Sequence, residues 1–175
     1  MAASPSLVCW DACTWIALIQ KEKITDEQTG AVIEDRERLC RVVFNQAEQP
    51  NGGLEIACSA LCLAEVCKDP AIAGDTHKLD DFFERESIVL VPVDREIGYI
   101  ARDLMSKGYS KLKPPDALHL ATAIYANVAA LHTFDDKLLD LDGILEKRAG
   151  GKLTICKPEL PGKKGPLEEF VKKQA

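Results

Sequence analysis

The feature that most constrains the fold of this 175-residue chain is a regular alternation of short apolar runs with longer helical patterns. Five runs have the length and composition of buried strands. They cover residues 7–10, 54–58, 88–93, 129–133 and 153–156. Strands that alternate with helices form right-handed crossovers, so the strands of one sheet run mostly parallel. We therefore predict a three-layer α/β/α fold with a central, mostly parallel five-stranded sheet.

The helices are predicted from apolar periodicity and from residues that favour a helix start. Thr25 and Gln28 form a capping-box pattern, which predicts one long helix over about residues 25–47. Further helices are expected over 59–68 with Ser59 as the cap, over about 76–86, after Asp94, and after Pro114 and Pro115.

One domain, residues 1–157, is expected to hold the whole sheet, with residues 158–175 as a peripheral tail rich in Lys. Within that tail, residues 167–173 could form a short helix.

The longest apolar runs are shorter than the ~18 residues that cross a bilayer, so we expect no membrane contact. Seven cysteines without a CxxC pair favour free thiols in the core, and the N-terminus lacks a signal-peptide pattern. We therefore expect the protein in the cytoplasm.

Four carboxylates lie in apolar surroundings, where isolated charges are unusual. Asp11 ends the first predicted strand and Asp135 follows the fourth, whereas Asp116 begins a helix and Glu65 lies inside one. Ligands of such sheets bind beyond the carboxyl ends of the strands. Carboxylates that meet there repel one another unless a cation lies between them, and oxygen ligands of this kind prefer Mg²⁺ or Mn²⁺. The sequence therefore predicts a divalent metal site.

Each acid also has a purely structural interpretation. Asp11 could end its strand in a turn, and Asp116 and Asp135 could cap helices. A salt bridge to a Lys or Arg could explain Glu65. Since the three histidines are scattered, we assign none of them a catalytic role, and His119 is expected to pack in the core.

Other candidates are expected to serve packing or surface contacts. Cys13 has no neighbouring His in the sequence that would activate it as a nucleophile. Trp10 and Trp15 alternate with apolar residues and should pack against the sheet. A basic segment before Asp116 fits either a solvated surface or a rim that contacts phosphates, and it comprises Arg102, Lys107, Lys111 and Lys113.

Taken together, four short motifs resemble the PIN domain, and in pattern the VapC-like toxins. They are Asp11-x-x-Thr14, Ser59 followed six positions later by Glu65, Asp116-Ala-Leu-His-Leu-Ala-Thr-Ala, and Thr133-Phe-Asp135. The resemblance covers roughly residues 6–157, and it includes the order of strands and helices.

This resemblance implies an endoribonuclease that hydrolyses RNA phosphodiester bonds with one or two Mg²⁺ or Mn²⁺ ions. It assigns catalysis and metal binding to four residues, Asp11, Glu65, Asp116 and Asp135. Thr14 and Thr133 would orient these ligands, and Asp136 is the alternative to Asp135. The resemblance also implies an RNA substrate, an antitoxin partner and a homodimer. The long predicted helix and the tail fit a housekeeping RNA-processing enzyme equally well.

The net charge of −6 argues against a surface that binds RNA through bulk positive charge. If four acids hold metal, the remaining residues carry about −2, so RNA would be bound by the metal and a local basic rim.

Two other functions remain open from the sequence. A phosphoacceptor receiver domain is also a five-stranded parallel α/β fold, and Asp94, Thr133, Lys157 and Pro158 could occupy its key positions. Such a domain needs an acidic pair after the first strand, where this chain has Asp11 alone. A PIN-like module without activity is the other alternative, although its four acids are intact.

Overall fold

A five-stranded parallel sheet forms the centre of the computed structural model, which describes residues 5–50, 53–67, 77–109 and 112–161. Its spatial order is β5-β4-β1-β6-β7. The strands are β1 Ser6–Trp10, β4 Leu54–Ser59, β5 Ile88–Val91, β6 Ala130–His132 and β7 Thr154–Cys156. Each coincides with a predicted run, and every neighbouring pair is parallel. The predicted α/β fold is confirmed.

Strand β1 lies in the middle of the sheet, hydrogen-bonded to β4 on one side and to β6 on the other. Val8 and Trp10 belong to the apolar core on one face of the sheet, whereas Cys9 belongs to the core on the opposite face. All three side chains are fully buried. Burial on both faces explains why this strand is continuously apolar rather than alternating.

Helices cover both faces of the sheet. Their bounds are α1 Ala12–Ile19, α2 Arg36–Ala47, α3 Leu61–Val66, α4 His77–Phe83, α5 Arg95–Ser106, α6 Pro114–Tyr125 and α7 Asp136–Leu139. Helices α1 to α4 contribute to the core on the Trp10 face, and α5 to α7 contribute to the core on the Cys9 face. The described helices include none that is long and apolar enough to span a membrane.

The long helix predicted over residues 25–47 is wrong in nearly its first half, residues 25–35. A two-stranded antiparallel hairpin, β2 Lys23–Thr25 and β3 Val32–Asp35, occupies that part of the chain. Helix α2 begins only at Arg36, where Asp35 caps it by accepting a hydrogen bond from the Arg38 amide.

The hairpin turn explains why the capping-box pattern misled. Asp26, not Thr25, organises this turn, because its carboxylate accepts hydrogen bonds from the amides of Gln28 and Thr29. Gly30 then adopts a positive φ of 68°, which a helix cannot accommodate and which glycine adopts without strain. A local Asp turn therefore outcompetes helix formation here.

The other predicted helix starts agree with the structure to within a few residues. Asp94 caps α5, and the two prolines begin α6. The Ser59 hydroxyl accepts a hydrogen bond from the Leu61 amide, although Ala60 occupies the cap position of α3. Residue 68, where that helix was predicted to end, and residue 76, where the next was predicted to begin, lie outside the described residues. Most of the tail lies outside them too.

Candidate active site

Asp11 lies at the carboxyl end of the central strand β1, where it also caps helix α1. The residue is only 4% exposed. Its Oδ1 accepts hydrogen bonds from the amide and the hydroxyl of Thr14, both at 2.9 Å, and its Oδ2 accepts one from the hydroxyl of Thr133 at 2.5 Å. A buried carboxylate needs such donors to offset its lost hydration. These bonds fix the carboxylate in one orientation.

Thr133 connects two of the predicted site acids. It follows strand β6, which pairs with β1, so the parallel ends of both strands bring it beside Asp11. Its hydroxyl donates to Asp11 and accepts a hydrogen bond from the amide of Asp135 at 2.9 Å. The structure therefore places the two threonines expected to orient the acids in contact with Asp11.

Cys13 is a further group in this cluster. Its Sγ lies 3.0 and 3.1 Å from the two carboxylate oxygens of Asp11 and accepts a hydrogen bond from the Phe134 amide at 3.3 Å. Burial raises the pKa of this thiol, and the adjacent Asp11 charge raises it further. The thiol thus stays protonated and serves as a donor to Asp11, which agrees with our rejection of a nucleophilic role.

Glu65 lies on helix α3 and contacts His119 on helix α6. Its Oε2 is 2.6 Å from the Nε2 atom of His119, and the two side chains are 16% and 4% exposed. The sequence suggested a Lys or Arg partner as the structural explanation, whereas this contact is to a histidine that we expected to pack in the core. His119 follows Asp116 by three positions, which places both on one helix face. That spacing relates His119 to Asp116, but the sequence carries no local signal for its contact with Glu65.

Asp116 and Asp135 are half-buried and each binds a backbone amide. Oδ2 of Asp116 accepts a hydrogen bond from the Lys113 amide at 3.1 Å, and Oδ1 of Asp135 accepts one from the Lys137 amide at 2.8 Å. Asp135 therefore caps α7, whereas the N-cap of α6 is Lys113 and Asp116 binds back to its amide from within the first turn of that helix. Each contact uses one of about four lone-pair positions of a carboxylate, so both acids can still bind a cation. Asp136, the alternative fourth acid, is exposed to solvent.

The four acids differ in how closely the structure connects them. Hydrogen bonds through Thr133 connect Asp11 to the Asp135 backbone, and His119 connects Glu65 to the helix of Asp116. Over the described ranges, no three His, Cys, Asp or Glu side chains are arranged to hold a metal ion. The donor types nevertheless fit a hard divalent cation, because all four offer carboxylate oxygens.

A buried Trp–His hydrogen bond joins the two strand ends that precede Asp11 and Thr133. The Trp10 indole N–H donates to Nδ1 of His132 at 3.1 Å, which joins the ends of β1 and β6 directly beneath Asp11. Burial lowers the pKa of His132 to about 3, so the imidazole is neutral and can accept this bond. Trp10 also contacts Trp15, with ring centroids 4.8 Å apart, and both tryptophans are fully buried as expected.

Several basic side chains near the site are already paired with acids. Arg36 lies over the Phe134 ring at 4.8 Å and forms ion pairs with Glu22 and Glu34, and Lys157 also pairs with Glu34. In the expected basic rim, Arg102 pairs with Asp103, Lys107 and Lys113 are exposed, and Lys111 lies outside the described residues.

Two positions considered for a receiver domain have structural roles. Asp94 caps α5, and Lys157 is held by an ion pair with Glu34.

Solved structures with a similar fold include several toxin–antitoxin proteins. A toxin–antitoxin complex from Klebsiella pneumoniae shows 20% identity and a TM-score of 0.53, covering 78% of this chain and 92% of that one. VapC20 of Mycobacterium tuberculosis, a toxin described as cleaving the sarcin–ricin loop, shows 13% identity and a TM-score of 0.52, covering 73% and 89%. VapBC2 from Rickettsia felis, bound to a DNA fragment from its promoter, shows 15% identity and a TM-score of 0.53, covering 85% and 96%. At such identities the likeness concerns the fold.

The sequence itself matches one protein family. Curated proteins include no match to this chain. The profile of the PIN domain, however, matches residues 8–144, which include all four candidate acids. That match covers well over half of the sequence and agrees with the observed parallel sheet. The chain therefore belongs to the PIN-domain family.

Proposed function

We propose that this protein is an endoribonuclease that hydrolyses RNA phosphodiester bonds with Mg²⁺ or Mn²⁺. The observation that supports it best is the environment of Asp11 in a PIN-domain chain. A carboxylate that is 4% exposed, at the end of the central strand, is held by two threonine side chains from different parts of the sequence. Such an oriented acid at the carboxyl edge of a parallel sheet is typical of a ligand-binding position.

The proposed roles follow from the contacts of each residue. Asp11 and Asp116 would hold the cation directly, Glu65 would hold it or orient a water, and Asp135 would complete the set. The hydrogen bonds of Thr14 and Thr133 keep the Asp11 oxygens in place before the cation arrives. When bound, a divalent cation lowers the pKa of a water and offsets the charge that develops on the phosphate. Asp135 is preferred to Asp136 because it is half-buried and hydrogen-bonded to the Thr133 hydroxyl through its amide.

The same proposal includes a toxin role, with an antitoxin protein as partner and a homodimer as the assembly. It is supported by the descriptions of the similar structures, which are toxins or toxin–antitoxin complexes. We also propose the cytoplasm as its location, because all seven cysteines are free thiols and four of them are fully buried in the core, as in a reducing compartment.

Cleavage of labelled RNA by the purified protein tests the proposal. We expect cleavage with Mn²⁺ or Mg²⁺, none with excess EDTA, and a loss of at least about 100-fold in Asp11→Asn and Asp116→Asn. Asp103→Asn is the matched control, since Asp103 is an exposed acid on α5 that pairs with Arg102. Circular dichroism should show that all three variants keep the fold.

Two results would contradict the proposal. One is cleavage that persists undiminished in both Asp11→Asn and Asp116→Asn, which would indicate a contaminating nuclease or another site. The other is a wild-type protein that neither cleaves RNA nor binds Mn²⁺. Comparing Asp135→Asn with Asp136→Asn separates the two candidates for the fourth acid, and the larger loss is expected for Asp135→Asn.

A further inference from the structure

His119 is a buried polar residue to which neither the motifs nor the proposed roles assign a function. It lies on α6 one turn after Asp116, and it is 4% exposed. Its Nε2 atom is 2.6 Å from Oε2 of Glu65, a residue 54 positions earlier in the sequence. The imidazole therefore connects the helix of one candidate metal ligand to the side chain of another.

The direction of this hydrogen bond follows from chemistry. An ionised carboxylate has no proton to give, so the Nε2–H of His119 donates to Glu65. The other ring nitrogen, Nδ1, faces the Sγ atom of Cys62 at 3.9 Å. Cys62 precedes Glu65 by three positions on α3, so one imidazole contacts α3 at two points that are one helical turn apart. These two contacts restrict rotation of the ring.

Glu65 has a longer side chain than the three aspartates, so ordering it costs more conformational entropy. Its helix α3 has only six residues, and its N-cap residue Ala60 makes no side-chain hydrogen bond to it. A glutamate side chain has three rotatable bonds, and ordering them costs conformational entropy. Asp11, by contrast, has one rotatable bond fewer and is held by donors on both oxygens. A short hydrogen bond of 2.6 Å from a buried ring fixes the Glu65 carboxylate at little further cost.

We infer that His119 is a positioning residue that anchors the Glu65 carboxylate to the helix of Asp116 and holds it in the orientation that a divalent cation requires. This inference rests on the proposed metal-dependent function. A histidine that packs only for stability would be replaceable by any apolar side chain of similar size. A positioning histidine requires an N–H group at the Nε2 position and acts only through Glu65.

Two substitutions of His119 separate these roles. His119→Gln keeps an amide N–H near the position of Nε2, whereas His119→Met fills similar space without a donor. The measurement is Mn²⁺ binding to the full chain without RNA, from titrations that detect free Mn²⁺ by electron paramagnetic resonance. We expect His119→Met to weaken Mn²⁺ binding about 10- to 100-fold and His119→Gln to restore most of that loss.

The same substitution in a second background tests whether His119 acts through Glu65. In Glu65→Gln protein, His119→Met should change Mn²⁺ affinity by less than about twofold, since the carboxylate it positions is already gone. An equal loss in both backgrounds overturns the inference, as does wild-type affinity in His119→Met. If the wild-type protein binds no Mn²⁺, the proposed function itself fails, and this inference fails with it.

A readout in metal-free protein keeps the inference testable if His119→Met does not fold. Nitrogen-edited NMR of imidazole-labelled wild-type protein should show a slowly exchanging Nε2–H proton for His119, shifted downfield by the Glu65 carboxylate. In Glu65→Gln this proton should move upfield. An unchanged resonance in Glu65→Gln would show that the ring is held by other groups and would overturn the inference.

Discussion

The contribution of the Thr133 hydroxyl to the free energy of unfolding can be calculated from its two shortest hydrogen bonds; a longer contact of 3.5 Å joins it to the Sγ atom of Cys13. It donates to Oδ2 of Asp11 at 2.5 Å and accepts from the Asp135 amide at 2.9 Å. Thr133→Val replaces the hydroxyl by a methyl group of similar size and removes both bonds. A bond to a charged group contributes about 1.5–3 kcal/mol, and a neutral one about 0.5–1.5 kcal/mol. We therefore expect the free energy of unfolding to fall by about 2–4 kcal/mol.

Urea denaturation of the metal-free protein measures this loss without reference to activity. At a slope of about 2 kcal/mol per M, the midpoint should fall by about 1–2 M. Thr122→Val is the matched control, because Thr122 is also fully buried and its hydroxyl donates only to the Leu118 carbonyl one turn earlier in α6. That carbonyl keeps its helical bond, so the control should lose about 1 kcal/mol or less.

The free energies of unfolding of the two valine variants are compared to test the orienting role of Thr133. If Thr133→Val is no less stable than Thr122→Val, the Asp11 carboxylate does not depend on the Thr133 hydroxyl. The reasoning that assigns Thr133 an orienting role would then be refuted. A changed slope in either variant would indicate that the unfolding is no longer two-state, and the free energies could not be compared.

Two further predictions follow from the same structure. The pKa of His132 is about 3 in the folded protein against ~6.5 unfolded, so the unfolded state binds the extra proton between these values and stability falls as the pH falls. Between about pH 7.5 and pH 5, protonation of His132 in the unfolded state should lower the free energy of unfolding of the wild-type protein by about 2 kcal/mol. His132→Asn keeps an acceptor for Trp10 and should lack this pH-dependent loss. An equal pH dependence of stability in both proteins would refute the prediction. Asp94→Ala removes the cap of α5 and should cost about 1 kcal/mol in thermal or urea unfolding. The same variant should leave RNA cleavage unchanged, whereas acetyl phosphate labelling at Asp94 would revive the receiver interpretation.

The strands were predictable because the sheet is buried on both faces. Residues such as Val8 and Cys9 point to opposite cores, so a parallel strand appears in the sequence as an uninterrupted apolar run. Asp11 was predictable for the same reason, since a charge that ends such a run is conspicuous. Helix starts at Asp94 and Pro114 follow from local rules that tertiary packing does not override here.

The hairpin and the Glu65 contact were not predictable in the same way. Thr25 and Gln28 fit a capping box, which predicts a helix start. Only the hydrogen bonds of Asp26 in the folded chain show that a turn forms there instead of a helix. The contact between Glu65 and His119 spans 54 positions, and no local pattern encodes it. Helical spacing could indicate that His119 shares a face with Asp116, but its partner depends on how α3 and α6 pack.

The central position of β1 determines when the site can exist during synthesis of the chain. Asp11 is made long before strand β6, which pairs with β1 and begins only at Ala130, and before Thr133, whose hydroxyl binds Oδ2 of Asp11. A growing chain that ends before these residues lacks one side of β1 and one anchor of the Asp11 carboxylate. Contacts across such a distance in sequence also tend to slow folding. The Asp11 carboxylate therefore acquires its full set of donors only after Thr133 has been made.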